Sequence, residues 1–549
     1  MKYLIRRNNI PSQFIQLELS LSCNKGELVQ LQIPSWRPGR YELANYAQKI
    51  KQVKGRLGLQ SIEIQKKTKD LWQFKAKNSE IYIIEYDFHA SQMDAGGSWS
   101  DDQQLYLNFI NFIFQVKGRE NEPIQIHLDL PSEYKIASAL PLKNKFELEA
   151  DNFQHLVDSP LIASKTLKQE QYQLGQTTFF LCFQGEIHFD ITEIKETFKK
   201  FTTKQIEAFG DFPASSYHFL FQLLPYTHYH GVEHCFSTVI TYGPSNDLGN
   251  KNSLSQLIGV SSHELYHFWN VCRIRPQELT PYDFSKEVYF ESGIVAEGVT
   301  TYMGDLFLLK SGCLSIQEYL TKLQRAINRE FESFGWKNQS ITESSFDLWL
   351  DGYKPGIPDR KVSIYNRGSL LSLVLDLLLL KTGSSLSEVM KLMWIQFGKN
   401  DIGYTLSDFQ LLNKQAMNDD KSVTEIFEQY IYGKKDLLPI LKELLIDVGI
   451  SIEERESTTL ESRYGIKVDE NQAIIAIHPD SDAYKNLMLG DVIFKQKSNL
   501  EQESPTLHLQ ITRQNRMKDY YFINHDEIFY KNYYLVQTGS TDLFKRWMS

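Results

Sequence analysis

Basic residues are not in excess, cysteines are few, and no hydrophobic run is long enough to cross a bilayer. Lys and Arg number 59 against 68 Asp and Glu, a formal net charge of -9, so the chain lacks the basic surface that a phosphate backbone requires. Nucleic acid is not expected as a partner. The most apolar stretch, Leu370 to Leu380, contains Asp376 and is far shorter than the roughly 20 residues of a membrane span; it reads as a buried helix. The opening MKYLIRRNNIPSQF carries basic residues but no apolar run of signal-peptide length, so a cytoplasmic location is expected. The five cysteines, Cys23, Cys182, Cys235, Cys272 and Cys313, are an odd set without CxxC spacing. That is the pattern of reduced thiols, not of a disulfide framework. Low-complexity tracts and regular repeats are also missing, and folded structure is expected throughout.

What is present is enough for several cores. A chain of 549 residues exceeds what one hydrophobic core organises. The first third alternates with period two, as in Leu17, Leu19 and Leu21 or Ile124, Ile126, Leu128 and Leu130, and further strands are expected at 29–33, 81–88 and 179–183. This predicts a β-sandwich over residues 1–185. From Ile191 the spacing of Ile194, Phe198 and Phe201 is helical, and long helices are expected at 255–269, 295–310, 315–334, 369–381 and 385–397 in a mainly helical domain over 186–452. Short strands and turns return in a small domain over 453–549. The fold class is multidomain α+β.

The chemistry concentrates in Ser262-His263-Glu264-Leu265-Tyr266-His267. Histidines at i and i+4 on an α-helix stand about 40° apart on one face, so one cation can reach both. Imidazole nitrogens suit zinc, and the glutamate between them is placed beside the metal, where it can take a proton from bound water. A catalytic zinc takes a third protein ligand. Glu297, in Ala296-Glu297-Gly298, leads on position; Glu287 and Glu291 are its rivals, and spacing does not separate the three.

The run HELYHFWNVCRIRP from His263 to Pro276, followed by Pro281-Tyr282-Asp283-Phe284 and Ala296-Glu297-Gly298, resembles the glycyl aminopeptidase family of zinc peptidases, relatives of aminopeptidase N. The resemblance implies a gluzincin, thermolysin-like catalytic domain, one Zn²⁺ per chain held by His263, His267 and Glu297, and Glu264 as the catalytic base. His230-Gly231-Val232-Glu233-His234 resembles the family's G-G-x-E-H, which assigns Glu233 to the substrate's α-ammonium group and puts Gly231 beside the substrate; His230 departs from the family glycine. Tyr365-Asn366-Arg367-Gly368 resembles the family's Y-x-K-G, with arginine for lysine, and makes Tyr365 the donor to the oxyanion. Pro34-Ser35-Trp36-Arg37-Pro38-Gly39-Arg40-Tyr41 and Val157-Asp158-Ser159-Pro160 resemble two markers of its N-terminal domain and read as structural.

In the last domain, Tyr464-Gly465-Ile466 and Leu487-Met488-Leu489-Gly490-Asp491-Val492-Ile493 resemble a PDZ module, a further site for a peptide or protein partner. The reaction implied is hydrolysis of the first bond of peptides with a free N-terminus, Gly or Ala preferred. The alternative reading is a catalytically silent scaffold that recruits partners through its PDZ-like end. Retention of the ligand set, Glu264 and Tyr365 argues against it.

Overall fold

The computed structural model describes residues 1–499, 506–523 and 528–548. The chain forms two compact units: Met1–Tyr319 with Gly335–Asp436 and Trp547–Ser549, and Leu320–Phe334 with Leu437–Arg546.

The first unit begins with sheets. Phe14–Cys23 pairs antiparallel with Lys2–Asn9 on one side and Glu80–His89 on the other, and buries Leu17, Leu19 and Leu21 while the alternate positions stay wetter. They belong to an eight-stranded sheet; two four-stranded sheets accompany it, one holding Leu28–Gln32 and Leu71–Lys75, the other Gln104–Leu107 and Leu161–Ser164.

A five-stranded mixed sheet follows, in the order Lys168–Leu174, Thr177–Gln184, Ser216–Leu223, Ser237–Gly243, His228–Glu233. Three of these strands fall where helical periodicity was expected to dominate. Ser216–Leu223 and Ser237–Gly243 are buried along nearly their whole length. A strand covered on both faces loses its polar alternation, so no period-two signal survives. His228–Glu233 ends the sheet, paired on one side only, with Gly231 opposite Ile240 and Glu233 opposite Thr238.

The helices lie close to their expected spans. Ile191–Phe209 is capped by the Asp190 side chain, and Lys251–Tyr266 by Asn250, which accepts from the Ser253 N–H at 2.8 Å. Such caps satisfy the orphan donors of a first turn. Thr300–Lys310, Asn366–Thr382 and Leu386–Gln396 complete the core around the site. Among the described residues no single helix is long and apolar enough to cross a membrane.

The second unit has its own core of Tyr464, Ile466, Ile474, Leu507, Leu509, Ile511 and Phe522. Thr506–Arg513 lies between Val492–Asn499 and Arg516–Ile523, and Ile450–Glu456 pairs with Lys531–Gln537. The side chain of Asn328 ties this last strand to the helix Ile316–Phe331, giving to the Tyr533 carbonyl and accepting from its N–H at 2.8 and 2.9 Å.

Candidate active site

His263 and Glu264 lie in the last turn of the helix Lys251–Tyr266, and His267 caps it. The Nδ1 of His267 is 3.0 Å from the Asn270 carbonyl. Donation there fixes the tautomer and leaves the Nε2 lone pair aimed into the site. Asn270 is fully buried, and its amide also gives to the Val295 carbonyl at 2.7 Å and to Thr300 Oγ1 at 2.9 Å. One residue thus orients His267 and clamps the next segment.

That segment is a single π-helical turn, Ile294–Val299, carrying Glu297. Two close helix approaches hold it. A Cβ built on Gly298 would lie 2.5 Å from the Gly368 Cα, and one on Gly304 would lie 3.0 Å from the His263 Cα. Glycine is required at the first because backbone meets backbone there.

The result is a tight cluster. His263 and His267 Nε2 atoms are 3.1 Å apart, and Glu297 Oε2 is 3.4 Å from the second and 3.8 Å from the first. Two imidazole nitrogens facing each other at that range need a cation between them, either a proton or a metal ion. Tetrahedral zinc with ligands at 2.0–2.1 Å separates neighbouring donor atoms by about 3.3 Å, so the donor set and its spacing fit the metal. Glu297 Oε2 is buried without a hydrogen-bond partner, as a ligand atom should be. Of the three acidic residues that spacing left open, Glu297 reaches the histidines, whereas Glu291 is exposed and Glu287 belongs to no ligand cluster among the described residues.

Three more groups surround this trio. Glu264 lies against the edge strand, so close that a Cβ on Gly231 would fall 2.2 Å from its Oε1. Its Oε2 is buried and unpartnered, and burial with the nearby charges of Glu233 and Glu297 raises its pKa well above the ordinary value, against the pull of His267 and Arg37. His267 is a contrast: burial alone would depress it, but Glu297, Glu233 and Glu264 push it up to about 10. Tyr365, just before the helix Asn366–Thr382, is buried beside Glu297 and Tyr353, whose carboxyl and hydroxyl its own hydroxyl influences.

Glu233, on the edge strand, is 6% exposed with Oε1 unpartnered, and a ligand oxygen of its carboxylate lies within 4.8 Å of donor atoms of Glu264 and His267. Its surroundings come from the two N-terminal motifs, which the sequence marks only as structural. Gly39, at φ +73°, approaches so closely that a Cβ there would lie 2.3 Å from Glu233 Oε2. Asp158 accepts from the Cys235 N–H at 3.0 Å and pairs with His234 Nδ1 at 2.9 Å, bracing the two residues after Glu233. The tryptophan of the first motif explains its own position: Trp36 donates to the Asp283 carbonyl at 2.8 Å and packs on Tyr282, Phe284 and Trp349. Two sequence motifs about 240 residues apart therefore dock on each other and carry Gly39 to the site.

His230, on the opposite face of the strand, pairs with Asp94 at 2.5 Å. Burial works to raise the Asp94 carboxyl, but the His230 hydrogen bond and charge hold it well below the usual range. Tyr353 is a further group missed in the sequence: its hydroxyl accepts from the Tyr41 N–H at 3.2 Å, linking Tyr365 to the Gly39 loop.

Residues 2–165 match the family model of the peptidase M61 N-terminal domain, and residues 256–371 match that of the M61 glycyl aminopeptidase. The chain is similar to the crystal structure of an aminopeptidase N family protein from Idiomarina loihiensis, with a TM-score of 0.88, 23% identity and 100% of each chain covered. It is also similar to an M1 zinc metallopeptidase from Deinococcus radiodurans, with a TM-score of 0.48, 12% identity, and 79% of this chain and 94% of that one covered. For yeast LTA4 hydrolase in complex with bestatin the TM-score is 0.46 at 12% identity, covering 79% and 68%. No curated protein is matched.

Proposed function

From a chain that belongs to the M61 glycyl aminopeptidase family of metallo-aminopeptidases, we propose hydrolysis of the first peptide bond of peptides with a free N-terminus, glycine or alanine preferred in first place. His263, His267 and Glu297 would hold one zinc ion per chain. When bound, zinc supplies a Lewis acid that polarises the scissile carbonyl and makes a water molecule acidic near neutrality.

The remaining steps belong to the chain. Glu233 holds the α-ammonium group by a charge-assisted hydrogen bond, which an internal peptide bond does not offer. Glu264 takes a proton from the attacking water and passes it to the leaving amine, so that one water is consumed and the C–N bond breaks. Tyr365 turns its hydroxyl toward the developing oxyanion.

One observation carries this reading: buried, unpartnered oxygens of Glu233 and Glu264 stand beside the ligand trio. Unsatisfied buried carboxylate is costly, and a cationic terminus with a reacting water satisfies both. Preference for a small first residue is supported by the match to the glycyl aminopeptidase family. We read the small second unit as a PDZ-like docking element that takes no part in the chemistry.

Glycyl and alanyl arylamides assayed beside their N-acetylated forms, with and without a zinc chelator and with Glu264→Gln, test the proposal. Cleavage of free-amine substrates alone, abolished by chelation and by the substitution, is expected. Equal cleavage of acetylated substrates would overturn the role of Glu233, and turnover by Glu264→Gln near the wild-type rate would overturn that of Glu264.

A further inference from the structure

His230 stands where the family pattern has glycine, and its ring gives the edge strand a hold that glycine does not offer. The strand His228–Glu233 is the last of its sheet, and among the described residues it pairs with Ser237–Gly243 alone. An edge strand leaves one row of backbone groups without a neighbouring strand, so its outer side is held by side chains or not at all. The face toward the site has no slack. A Cβ on Gly231 would fall 2.2 Å from Glu264 Oε1, and Glu233 is crowded as closely by Gly39.

Successive side chains of a strand point to opposite faces, and the face away from Glu264 is gripped by a turn of the N-terminal region. His230 Nδ1 donates to Asp94 Oδ1 at 2.5 Å, and the same oxygen accepts from the Gly96 N–H at 3.0 Å. The two side chains are 27% and 20% exposed, where a charge-assisted hydrogen bond holds its geometry better than on an open surface. The turn itself is fixed from behind. The Ala95 carbonyl accepts from the Tyr106 hydroxyl at 2.6 Å and the Asn108 amide at 3.1 Å, and the Gly96 carbonyl from the Asn111 amide at 3.2 Å, all three donors being buried. The same turn meets the loop of Gly39: a Cβ on Gly96 would lie 2.2 Å from Nε of Arg37, in the motif that carries Gly39. One turn thus touches both the edge strand and the loop that crowds Glu233.

We infer that His230 and Asp94 are positioning residues that set how closely Gly231 approaches Glu264 and where Glu233 stands against Gly39. The inference rests on the roles given to Glu264 and Glu233 in the function proposed above. The pair acts through the strand, from the face away from the substrate. Glycine at position 230 has no side chain to reach Asp94, so the tether belongs to this chain and not to the family pattern.

The test uses the full-length, zinc-loaded protein with glycyl arylamide, reading kcat, KM, zinc content and Tm for each variant. His230→Ala and Asp94→Ala are each expected to lower kcat about tenfold, part of the hundredfold that a misplacement of about 1 Å costs. Zinc content should stay at the wild-type value, because His263, His267 and Glu297 lie on other elements. The double variant should lose no more than either single one, as one shared interaction requires. His230→Asn, whose amide puts a donor near the place of Nδ1, should keep most of the wild-type kcat. If His230→Ala fails to fold, Asp94→Asn, which keeps the shape of the carboxylate without its charge, carries the same expectation of a lower kcat. Wild-type kcat in the folded variant, or losses that multiply in the double variant, would overturn the assignment while the wild-type protein still cleaves. No cleavage by the wild-type protein would overturn the aminopeptidase reading itself and this positioning role with it.

Discussion

Replacing Gly39 by alanine tests whether the N-terminal sheets build part of the active site. The added Cβ would lie 2.3 and 2.6 Å from the two carboxylate oxygens of Glu233, where ordinary contact needs about 3.4 Å, so the carboxylate must retreat by about 1 Å. It has little space in which to do so, being 6% exposed and backed by the braced His234 and Cys235. A misplacement of about 1 Å at a substrate anchor costs on the order of a hundredfold. Gly39→Ala should therefore lower kcat/KM on glycyl arylamide about a hundredfold while zinc content stays at the wild-type value. The positive φ of +73° adds about 1 kcal/mol of backbone strain, which affects stability separately. Gly26, at φ +86° with nothing within 4 Å of its built Cβ, supplies the control: Gly26→Ala carries the strain alone, and its activity should match wild type. If Gly39→Ala kept wild-type kcat/KM with a Tm lowered as in Gly26→Ala, the Gly39 loop would not be positioning Glu233 for substrate.

Tyr365→Phe should lower kcat about a hundredfold, the worth of one preplaced oxyanion donor, with zinc content unchanged; a loss in KM alone would remove the hydroxyl from the chemical step. For Asp158, burial works to raise the carboxyl, but the hydrogen bond and charge of His234 and the Cys235 N–H hold it below its ordinary range. A carboxylate so depressed contributes stability above its unfolded pKa of about 3.9 and loses it as the pH falls through the folded value. Asp158→Asn should accordingly cost about 1–3 kcal/mol at pH 7 by urea unfolding, with the gap to wild type closing below about pH 4. Burial lowers His218, which stacks on Phe180 at 4.6 Å, to about 4. The unfolded histidine takes its proton near pH 6.5, so stability falls between about pH 6.5 and 4; His218→Phe should flatten that part of the pH profile, and an unchanged slope would refute the burial argument.

The parts of the site that were legible in the sequence are those whose geometry is local. His263 and His267 are placed by the pitch of one helix, with Glu264 between them, and three letters at fixed spacing carry that information. Glu297 lies thirty residues on, in a π-helical turn that no periodicity announces; acidic rivals at 287 and 291 look equivalent until Asn270 is seen holding the Val295 carbonyl. Only the resemblance of the Glu297-Gly298 pair to a family motif selected it from sequence. The strands Ser216–Leu223 and Ser237–Gly243 were hidden for the opposite reason, since burial on both faces erases alternation.

The deepest gap concerns Glu233, and it explains why two motifs far from the histidines read as structural. On the proposed reading Glu233 waits for substrate in a nearly dry place with an unpartnered oxygen, which a single strand does not arrange. Its carboxylate is crowded by Gly39 from one motif and its two successors are pinned by Asp158 from the other. Trp36, docked on Tyr282, Asp283 and Phe284 between the histidine helix and Glu297, anchors the loop that carries Gly39. On the proposed reading, removing the N-terminal sheets should thus leave His263, His267 and Glu297 on their helices but free Glu233, so that metal binding outlasts discrimination for a free amine.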